Sequence, residues 1–337
     1  MFKKIIYLLC FILIFVTLGC SQKEKSSEEI TSVTTKKKYP MSVDVHTYKG
    51  EEINQTIDKA PKKVMVIGSA VAELIVKFGQ QEKVVGFAYS DQTDSKYTLE
   101  IEKLPLVSKM WPSKEAIIAL QPDLIYSIAS GFREELLGSI SSWNDRGIPV
   151  VSSTNFTIGR SIDIYFDEIK IFGKVFDIES QTNTFLNEQQ AHIKEITSKV
   201  KKIKDRPNVL LIGEARGKYY YYSPKWAIIS EMIESVGAEY MELSKEDYIE
   251  LSTEAIIAAN PDKIIITEFQ QLDLEKTKNN LLNDEKLQNV KAIQNKDVMV
   301  AEYTGAISGG IELADLYEQV AEFIHPDVFA RGERNDK

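Results

Sequence analysis

Cysteine is nearly absent from this chain. Its 337 residues include two cysteines, Cys10 and Cys20, and none follows position 20. Cys10 lies in an apolar N-terminal stretch, and if that stretch is removed Cys20 stands alone. An intramolecular disulfide and a cysteine-ligated metal site are then both excluded from the body of the protein.

Sequence motifs of common enzymes are also missing. The chain has no G-x-G-x-x-G after its first strand signal, no G-x-x-x-x-G-K-[ST] and no G-x-S-x-G. Their absence disfavours a dehydrogenase, a P-loop kinase or a serine hydrolase. We therefore predict that the protein is not an enzyme, and a membrane-anchored enzyme is kept as an alternative.

Positive charge is in deficit. The chain has 41 Lys and Arg against 50 Asp and Glu, a net charge of −9. Without residues 1–19 it loses Lys3 and Lys4, and the balance becomes 39 against 50, or about −11. Such a balance argues against a nucleic-acid partner.

The long apolar run of the chain is confined to its N-terminus. Lys3 and Lys4 precede an apolar stretch over Ile5–Leu18, and a polar tail follows Cys20. This is the layout of a secretory signal. The alternative is an uncleaved anchor helix, but the run is shorter than the roughly 20 residues that a membrane-spanning helix needs.

The end of this stretch, Val16-Thr17-Leu18-Gly19-Cys20, resembles the lipobox of bacterial lipoproteins, with Thr17 where an aliphatic residue is usual. The resemblance implies a signal peptide over 1–19 and acyl chains on Cys20, which would hold the protein durably on the outer face of the cell membrane. Residues 20–56 are rich in Lys, Ser, Thr and Glu, and we predict a flexible tether there.

A thirteen-residue segment occurs twice, as Ser113–Ile125 (SKEAIIALQPDLI) and as Ser252–Ile264 (STEAIIAANPDKI), with nine identical positions. Each copy predicts a helix that begins at a serine N-cap and ends at a proline, followed by a buried strand. The copies are 139 residues apart, too far for a solenoid repeat. The spacing indicates two similar lobes.

Strand and helix signals alternate in each lobe, as in a parallel sheet covered by helices. In the first lobe, strands are predicted over residues 63–68, 84–88, 104–107, 124–127 and 149–152, and helices over 70–78, 114–120 and 133–146. In the second lobe, strands are predicted over 208–213, 263–267 and 297–301, with a closing helix over 311–324.

Between the lobes, residues 162–177 and 180–204 predict two amphipathic helices, and a helical connection permits only a small hinge motion. The predicted fold class is α/β, with two Rossmann-like lobes of mainly parallel sheet joined by a long helix. We place the N-terminal lobe at 57–160, the connecting helices at 161–204, the C-terminal lobe at 205–330 and a tail at 331–337.

Together, the duplicated Ser-x-Glu-Ala-x-x-Ala-x-x-Pro-Asp segment, the helical connection and an end of Ala292–Val298 followed by His325-Pro326 resemble the iron-siderophore and cobalamin substrate-binding proteins of ABC importers. The resemblance spans about residues 62–329. It implies a monomeric capture protein that delivers a metal chelate to a permease.

The resemblance also gives a role to Glu115 and Glu254, which hold equivalent positions in the two copies. In the family, a glutamate at this place in each lobe pairs with arginines of the two permease subunits. Without the resemblance, each carboxylate would be interpreted as stabilising the N-terminus of its helix.

Open α/β sheets bind ligands at the carboxyl ends of their strands, so the ligand is expected between the lobes. Aromatic and basic side chains follow the predicted strands, and the candidate ligand-binding residues are Tyr89, Lys109, Met110, Trp111, Arg133, Arg216, Lys218, Tyr222, Trp226 and Tyr303. Basic side chains suit an anionic ferric chelate, and aromatic side chains cover an apolar scaffold.

We therefore expect an iron(III)-siderophore as ligand and no covalently bound cofactor. Haem, held through Tyr222 or Met110, and cobalamin, held by aromatic walls, are the alternatives. A bare zinc or manganese ion is disfavoured because His46, His192 and His325 lie outside the predicted cleft loops. A membrane-bound ligand sensor is a third possibility.

Overall fold

A computed structural model of the chain describes residues 38–90, 95–153, 159–269 and 273–329. The predicted signal peptide, Cys20, the tether up to residue 37 and the predicted tail lie outside the described residues. The described part contains no helix that is both long and apolar enough to cross a bilayer.

A β-hairpin comes first. Strands β1 (Met41–His46) and β2 (Glu52–Ile57) pair antiparallel, and Val43, Val45 and Ile57 are buried in the core. The hairpin corrects the prediction of a flexible tether from residue 41 onward. Apolar and polar residues alternate here with the period of a half-buried strand, and the polar composition of the whole stretch hid that alternation.

The first lobe is built on a five-stranded parallel sheet of strand order β5-β4-β3-β6-β7. Its strands are short and apolar because helices cover both faces. Their bounds are β3 Val64–Ile67, β4 Val84–Ala88, β5 Leu106–Ser108, β6 Leu124–Ile128 and β7 Val150–Ser153. The helices are α1 Ser69–Lys77, α2 Thr98–Ile101, α3 Lys114–Leu120 and α4 Ile140–Asn144, with 3-10 turns at Gln81–Lys83 and Ala129–Phe132.

Two helices, α5 (Ile162–Phe176) and α6 (Glu179–Val200), lead from the first lobe to the second. Phe172 of α5 packs on Tyr126 of β6 with ring centroids 5.8 Å apart. The helices approach closely at Gly173, where a methyl group would overlap the Thr182 hydroxyl. With 22 residues, α6 is about 33 Å long.

The second lobe has a mixed sheet of order β11-β9-β8-β12-β13, and β10 pairs with the start of β8. The strands are β8 Asn208–Ala215, β9 Lys218–Tyr222, β10 Glu239–Tyr240, β11 Tyr248–Leu251, β12 Lys263–Glu268 and β13 Val298–Val300. The helices are α7 Ile229–Ser235, α8 Thr253–Ala259, α9 Leu274–Leu282, α10 Lys291–Gln294, α11 Tyr303–Ser308, α12 Leu313–Ile324 and α13 Pro326–Phe329, with 3-10 turns at Pro224–Trp226 and Glu285–Leu287.

The structure confirms the predicted fold class, two α/β lobes joined by a long helix. In the second lobe, β9 and β11 run antiparallel to their neighbours, a feature absent from the sequence prediction. The helix predicted over 133–146 is wrong: α4 covers only Ile140–Asn144. Gly138 has a φ of 75° and Ser139 is the N-cap of α4, so the helix begins only at Ile140.

Candidate functional site

A cavity of about 420 Å³ opens between the lobes at the carboxyl ends of β4, β8 and β12. Seven of its ten lining residues are aromatic, one is basic and one is acidic. They are Tyr89, Arg160, Glu214, Ala215, Tyr220, Tyr222, Trp226, Tyr248, Phe269 and Tyr303. We call this cavity the aromatic cleft.

One wall of the aromatic cleft is a continuous series of rings. The antiparallel register sets Tyr248 of β11 opposite Tyr222 of β9. The Tyr248 ring lies 5.0 Å from both Tyr220 and Tyr222, and it stacks on Tyr220 at an interplanar angle of 8°. Tyr303 continues the series, 6.5 Å from Tyr222 and 5.1 Å from Phe269. The wall therefore offers a broad apolar surface with phenol groups at its edges.

Two glycines permit this packing. A Cβ at Gly213 would lie 2.8 Å from the Tyr222 ring, so β8 must carry glycine where that ring lies over the sheet. A Cβ at Gly131 would lie 2.9 Å from Trp111, which stacks on Tyr89 with centroids 4.1 Å apart. Tyr89 itself has a φ of 58°, so it adopts a left-handed backbone at the end of β4.

Two tyrosines of the wall, Tyr222 and Tyr248, stay protonated at neutral pH. Burial raises the pKa of Tyr248 to about 12, and the neighbouring rings of Tyr220 and Tyr303 add to the effect. Burial raises the pKa of Tyr222 further. Each phenol is therefore an uncharged group that can donate and accept a hydrogen bond.

Arg160 is the basic residue of the cleft. It precedes α5, its guanidinium carbon lies 4.2 Å from the centre of the Trp226 ring, and its Nη1 donates to the Trp226 carbonyl oxygen. Burial lowers the pKa of Arg160 to about 10. The guanidinium is still charged at neutral pH, and the indole beneath it stabilises that charge.

Glu214 is the acidic residue. It lies at the end of β8 beside Glu268, its partner in the parallel register of β12. Burial raises the pKa of Glu214, and the neighbouring Glu268 carboxylate raises it further. The Gly217 backbone N–H donates to Glu214 Oε1 at 2.6 Å, and this hydrogen bond lowers the pKa. Two neighbouring carboxylates disfavour a second negative charge. The cleft lining holds one basic and one acidic residue, Arg160 and Glu214, so it carries little net charge.

The structure brings four of the ten predicted ligand-binding residues to the cleft wall: Tyr89, Tyr222, Trp226 and Tyr303. Trp111 lies behind Tyr89. The other five predicted residues are not among those that line the cleft. Lys109, Met110, Arg216 and Lys218 are exposed, and Lys218 pairs with Glu250 at 2.7 Å. Arg133 is half-buried and its Nε donates to the Ser130 carbonyl oxygen at 3.0 Å.

Six lining residues were not among the ten predicted ligand-binding residues: Arg160, Glu214, Ala215, Tyr220, Tyr248 and Phe269. Arg160 follows no predicted strand, and it is held in place by the start of α5, where Ser161 accepts a hydrogen bond from Ile164 N as the N-cap. Tyr248 lies on a strand that was not predicted. The apolar alternation of Ile249 and Leu251 is a weak signal that could have found it.

The duplicated segment forms two matching helices. Ser113 accepts a hydrogen bond from Ala116 N at 3.1 Å, and Ser252 accepts one from Ala255 N at 3.2 Å. Both helices end at a left-handed residue, Gln121 or Asn260. Glu115 and Glu254 are exposed, and neither forms an ion pair within the residues that the structure describes.

The three histidines lie away from the cleft. His46 is in β1, His192 contacts Glu318 at 3.1 Å, and buried His325 contacts the Val236 carbonyl oxygen at 2.8 Å. Across the described ranges, no three His, Cys, Asp or Glu side chains converge as metal ligands.

Two α/β lobes that are joined by helices and enclose a cleft at their strand ends define a two-lobed binding protein. The periplasmic binding protein family matches residues 64–303, more than half of the chain. The chain belongs to this family, whose members are substrate-binding components of transporters. The resemblance to this class of protein that the sequence indicated is thus confirmed.

Relatives agree with this assignment. The ABC transporter substrate-binding lipoprotein YvrC of Bacillus subtilis is 23% identical over 318 residues, which cover 92% of this chain and 93% of that protein. A periplasmic binding protein from Veillonella parvula has a TM-score of 0.75 at 20% identity, with 87% of this chain and 94% of that chain covered. A structure of the ABC-type Fe3+-hydroxamate transport system from Saccharomonospora viridis has a TM-score of 0.70 at 18% identity, with 85% and 99% covered.

Proposed function

We propose that this chain is the lipid-anchored substrate-binding protein of an ABC importer and that its ligand is a metal chelate of low net charge. The first candidate is an iron(III)-siderophore of the hydroxamate type. The observation that carries the proposal is the lining of the cleft, in which seven aromatic residues accompany one basic and one acidic residue.

The charge of the cleft favours a hydroxamate over a catecholate. Three hydroxamates neutralise iron(III), whereas three catecholates leave a net negative charge on the chelate. A strongly anionic chelate needs several cationic partners, and Arg160 is the one basic residue among those that line the cleft. Lys109, Arg216 and Lys218 are exposed, so they support an anionic ligand less than their number suggests. The name of the Saccharomonospora viridis relative, a Fe3+-hydroxamate transport system, agrees with this choice.

A flat metal macrocycle is the second candidate. The stacked rings of Tyr220, Tyr248 and Tyr222 form a surface on which a corrin or a porphyrin could lie. The phenol oxygens are potential iron ligands for haem. Cobalamin and haem therefore belong in the same binding test.

Membrane attachment and delivery complete the proposal. Acyl chains on Cys20 would keep the protein at the outer face of the membrane, close to its permease. Glu115 and Glu254 would contact basic residues of the two permease subunits, because both carboxylates are exposed on equivalent helices. The lipoprotein relative in Bacillus subtilis supports this part of the proposal.

The test is a fluorescence titration of the soluble chain from Ser21, which lacks the lipidated cysteine, with a ferric trihydroxamate, a ferric tricatecholate, haem and cobalamin. Trp226 lines the cleft and Trp111 stacks on Tyr89 of the cleft lining, so a bound chelate will quench their emission. We expect submicromolar affinity for the trihydroxamate and at least about tenfold weaker binding of the tricatecholate.

Two variants make the titration specific. Tyr248→Ala removes the centre of the aromatic wall and should weaken binding by about tenfold or more. Its control is Tyr48→Ala in the exposed turn of the hairpin, which should bind like the native chain. Preferred binding of the tricatecholate would contradict the charge argument, and no binding by any of the four ligands would contradict the proposed function.

A further inference from the structure

The duplicated helices α3 and α8 present the same side chains to solvent. From Ser113 to Leu120 and from Ser252 to Ala259, the pattern of buried, half-buried and exposed residues is identical position by position. The exposed side chains within the helices are Glu115, Ile118 and Ala119 in α3, and Glu254, Ile257 and Ala258 in α8.

The two isoleucines are unusual for a solvent face. Ile118 is 43% exposed and Ile257 is 41% exposed, whereas the preceding Ile117 and Ile256 are fully buried and fix each helix to its lobe. The outer face of a surface helix is ordinarily polar. A single exposed isoleucine needs no explanation, but here the same residue is exposed to nearly the same degree at equivalent places in both lobes.

Each isoleucine lies one turn after a carboxylate. Residues three and four apart share a helix face, so Glu115, Ile118 and Ala119 form one stripe, and α8 repeats it. We call these the two Glu-Ile-Ala stripes. In each stripe an exposed apolar side chain lies directly beside a carboxylate side chain.

The carboxylates are available to a partner. Within the described part of the chain, neither Glu115 nor Glu254 contacts a basic side chain closely enough for an ion pair. Hydrogen bonds from its own backbone N–H and from Ser252 lower the pKa of Glu254. Both stripes therefore combine an exposed carboxylate with exposed apolar surface, whose contact with water is unfavourable.

We infer that Ile118 and Ile257 are further docking residues, and that each enters an apolar socket next to the basic side chain that its neighbouring glutamate is proposed to contact on one of two equivalent permease subunits. This inference rests on the proposed import function and names the chemistry of its docking surface. Repetition of the stripe on both lobes matches a partner whose two halves are alike, and the carboxylates require that each half be basic there.

The test uses photo-crosslinking in cells that express the full-length chain in place of their own copy. A photoreactive phenylalanine is placed at position 119 or at position 258, inside each stripe. Crosslinks from both positions to the membrane subunits of an ABC permease are expected. In Ile118→Ala, the yield from position 119 should fall about fivefold, and in Ile257→Ala the yield from position 258 should fall equally, because part of an isoleucine side chain is no longer buried on docking.

Matched variants separate the causes. Ile118→Leu with Ile257→Leu keeps the apolar area and should retain the yield. Leu99→Ala with Leu106→Ala truncates side chains that are 70% and 52% exposed outside the stripes, and it should also retain the yield. Alanine suits an exposed helix position, so thermal unfolding of the purified isoleucine variants should match that of the native chain.

The outcomes distinguish this inference from the proposed function. If Glu115→Ala with Glu254→Ala abolishes the crosslinks while the isoleucine variants retain them, the apolar socket is rejected and the import function stands. Crosslinks to a second copy of the chain would also reject the inference. If no permease subunit is crosslinked from either position, the proposed function fails together with it.

Discussion

Individual side chains give the aromatic cleft its low charge. Arg160 packs on Trp226 and keeps its positive charge, while Glu214 at the end of β8 lies beside Glu268 at the end of β12. A count of basic residues in the loops overestimated the positive charge of the cleft. Arg216 lies in an exposed turn, and Lys218, at the start of β9, is exposed and pairs with Glu250. The sequence shows which residues are charged but not where their side chains lie relative to the cleft.

The raised pKa of Glu214 predicts a pH effect on stability. Because the folded chain binds this proton more tightly than the unfolded chain does, the group favours folding below its ordinary pKa of 4.5. That contribution is lost as the pH rises through the raised pKa of the folded state, and the ionised carboxylate then lowers the free energy of unfolding relative to an uncharged side chain. We expect Glu214→Gln to be more stable than the native chain at about pH 7 and equally stable at about pH 4.

Urea unfolding at a series of pH values measures this difference. Glutamine can still accept the Gly217 hydrogen bond through its Oε1, so the variant changes charge more than structure. Glu234→Gln, at an exposed position on α7, serves as the control and should give no such pH dependence. A constant difference between Glu214→Gln and the native chain at every pH would contradict the prediction.

At the scale of elements, local sequence patterns predicted the parallel strands and the repeated helices well. The bounds of α3, Lys114–Leu120, are those predicted, since a serine N-cap and a following proline limit the helix on both sides. The antiparallel strands β9 and β11 could not be predicted in the same way. The run Tyr219–Tyr222 has no alternation of apolar and polar residues, and its pairing with Tyr248–Leu251 depends on residues distant in sequence.

The residues of the cleft show the same difference between local sequence patterns and contacts of distant segments. Tyr222, Trp226 and Tyr303 were predicted because they follow strand signals, and they line the cleft. Arg160 and Tyr248 depend on how α5 and β11 pack against other elements. A single sequence does not specify such tertiary contacts.

The β1–β2 hairpin predicts an effect on stability. It lies against β7, the edge strand of the first sheet, where Gln55 Oε1 accepts a hydrogen bond from Val150 N at 3.0 Å. Gln55 is 1% exposed, so Gln55→Ala would leave a buried backbone N–H without its acceptor. We expect a loss of about 1–3 kcal/mol in the free energy of unfolding.

Chemical denaturation of the mature chain measures this loss. Glu52→Ala, an exposed substitution on the same strand, is the control and should change the stability by less than about 0.5 kcal/mol. An equal effect of the two substitutions would show that the hydrogen bond to Val150 contributes nothing particular.

For the whole molecule, the connection between the lobes limits their motion. Helix α6 packs on α5 and also on α12 of the second lobe, where Gln189 Oε1 accepts from Ala314 N at 3.0 Å. Lys96 of the first lobe forms an ion pair with Glu312 at 2.9 Å. Helices that pack on both lobes resist bending more than extended strands do, so the lobes should close only slightly around a ligand.

Small-angle X-ray scattering tests this expectation. The radius of gyration of the mature chain should change by less than about 1 Å when the chelate selected by the titration is added at saturation. The same protein without ligand, at the same concentration, provides the reference. A decrease of several ångströms would indicate wide closure and contradict the role of α6.

The N-terminal boundary of the hairpin has a mechanical consequence. Lys38 contacts Asp177 and Glu179, and the Tyr39 hydroxyl donates to the Val175 carbonyl oxygen at 2.8 Å, so the chain is fastened where α5 meets α6. Tension applied to the chain before Lys38 is therefore borne first by these contacts at a helix corner. None of these contacts belongs to the cleft lining. Tension at the N-terminal end of the domain would therefore leave the aromatic cleft undisturbed and would not release a bound ligand.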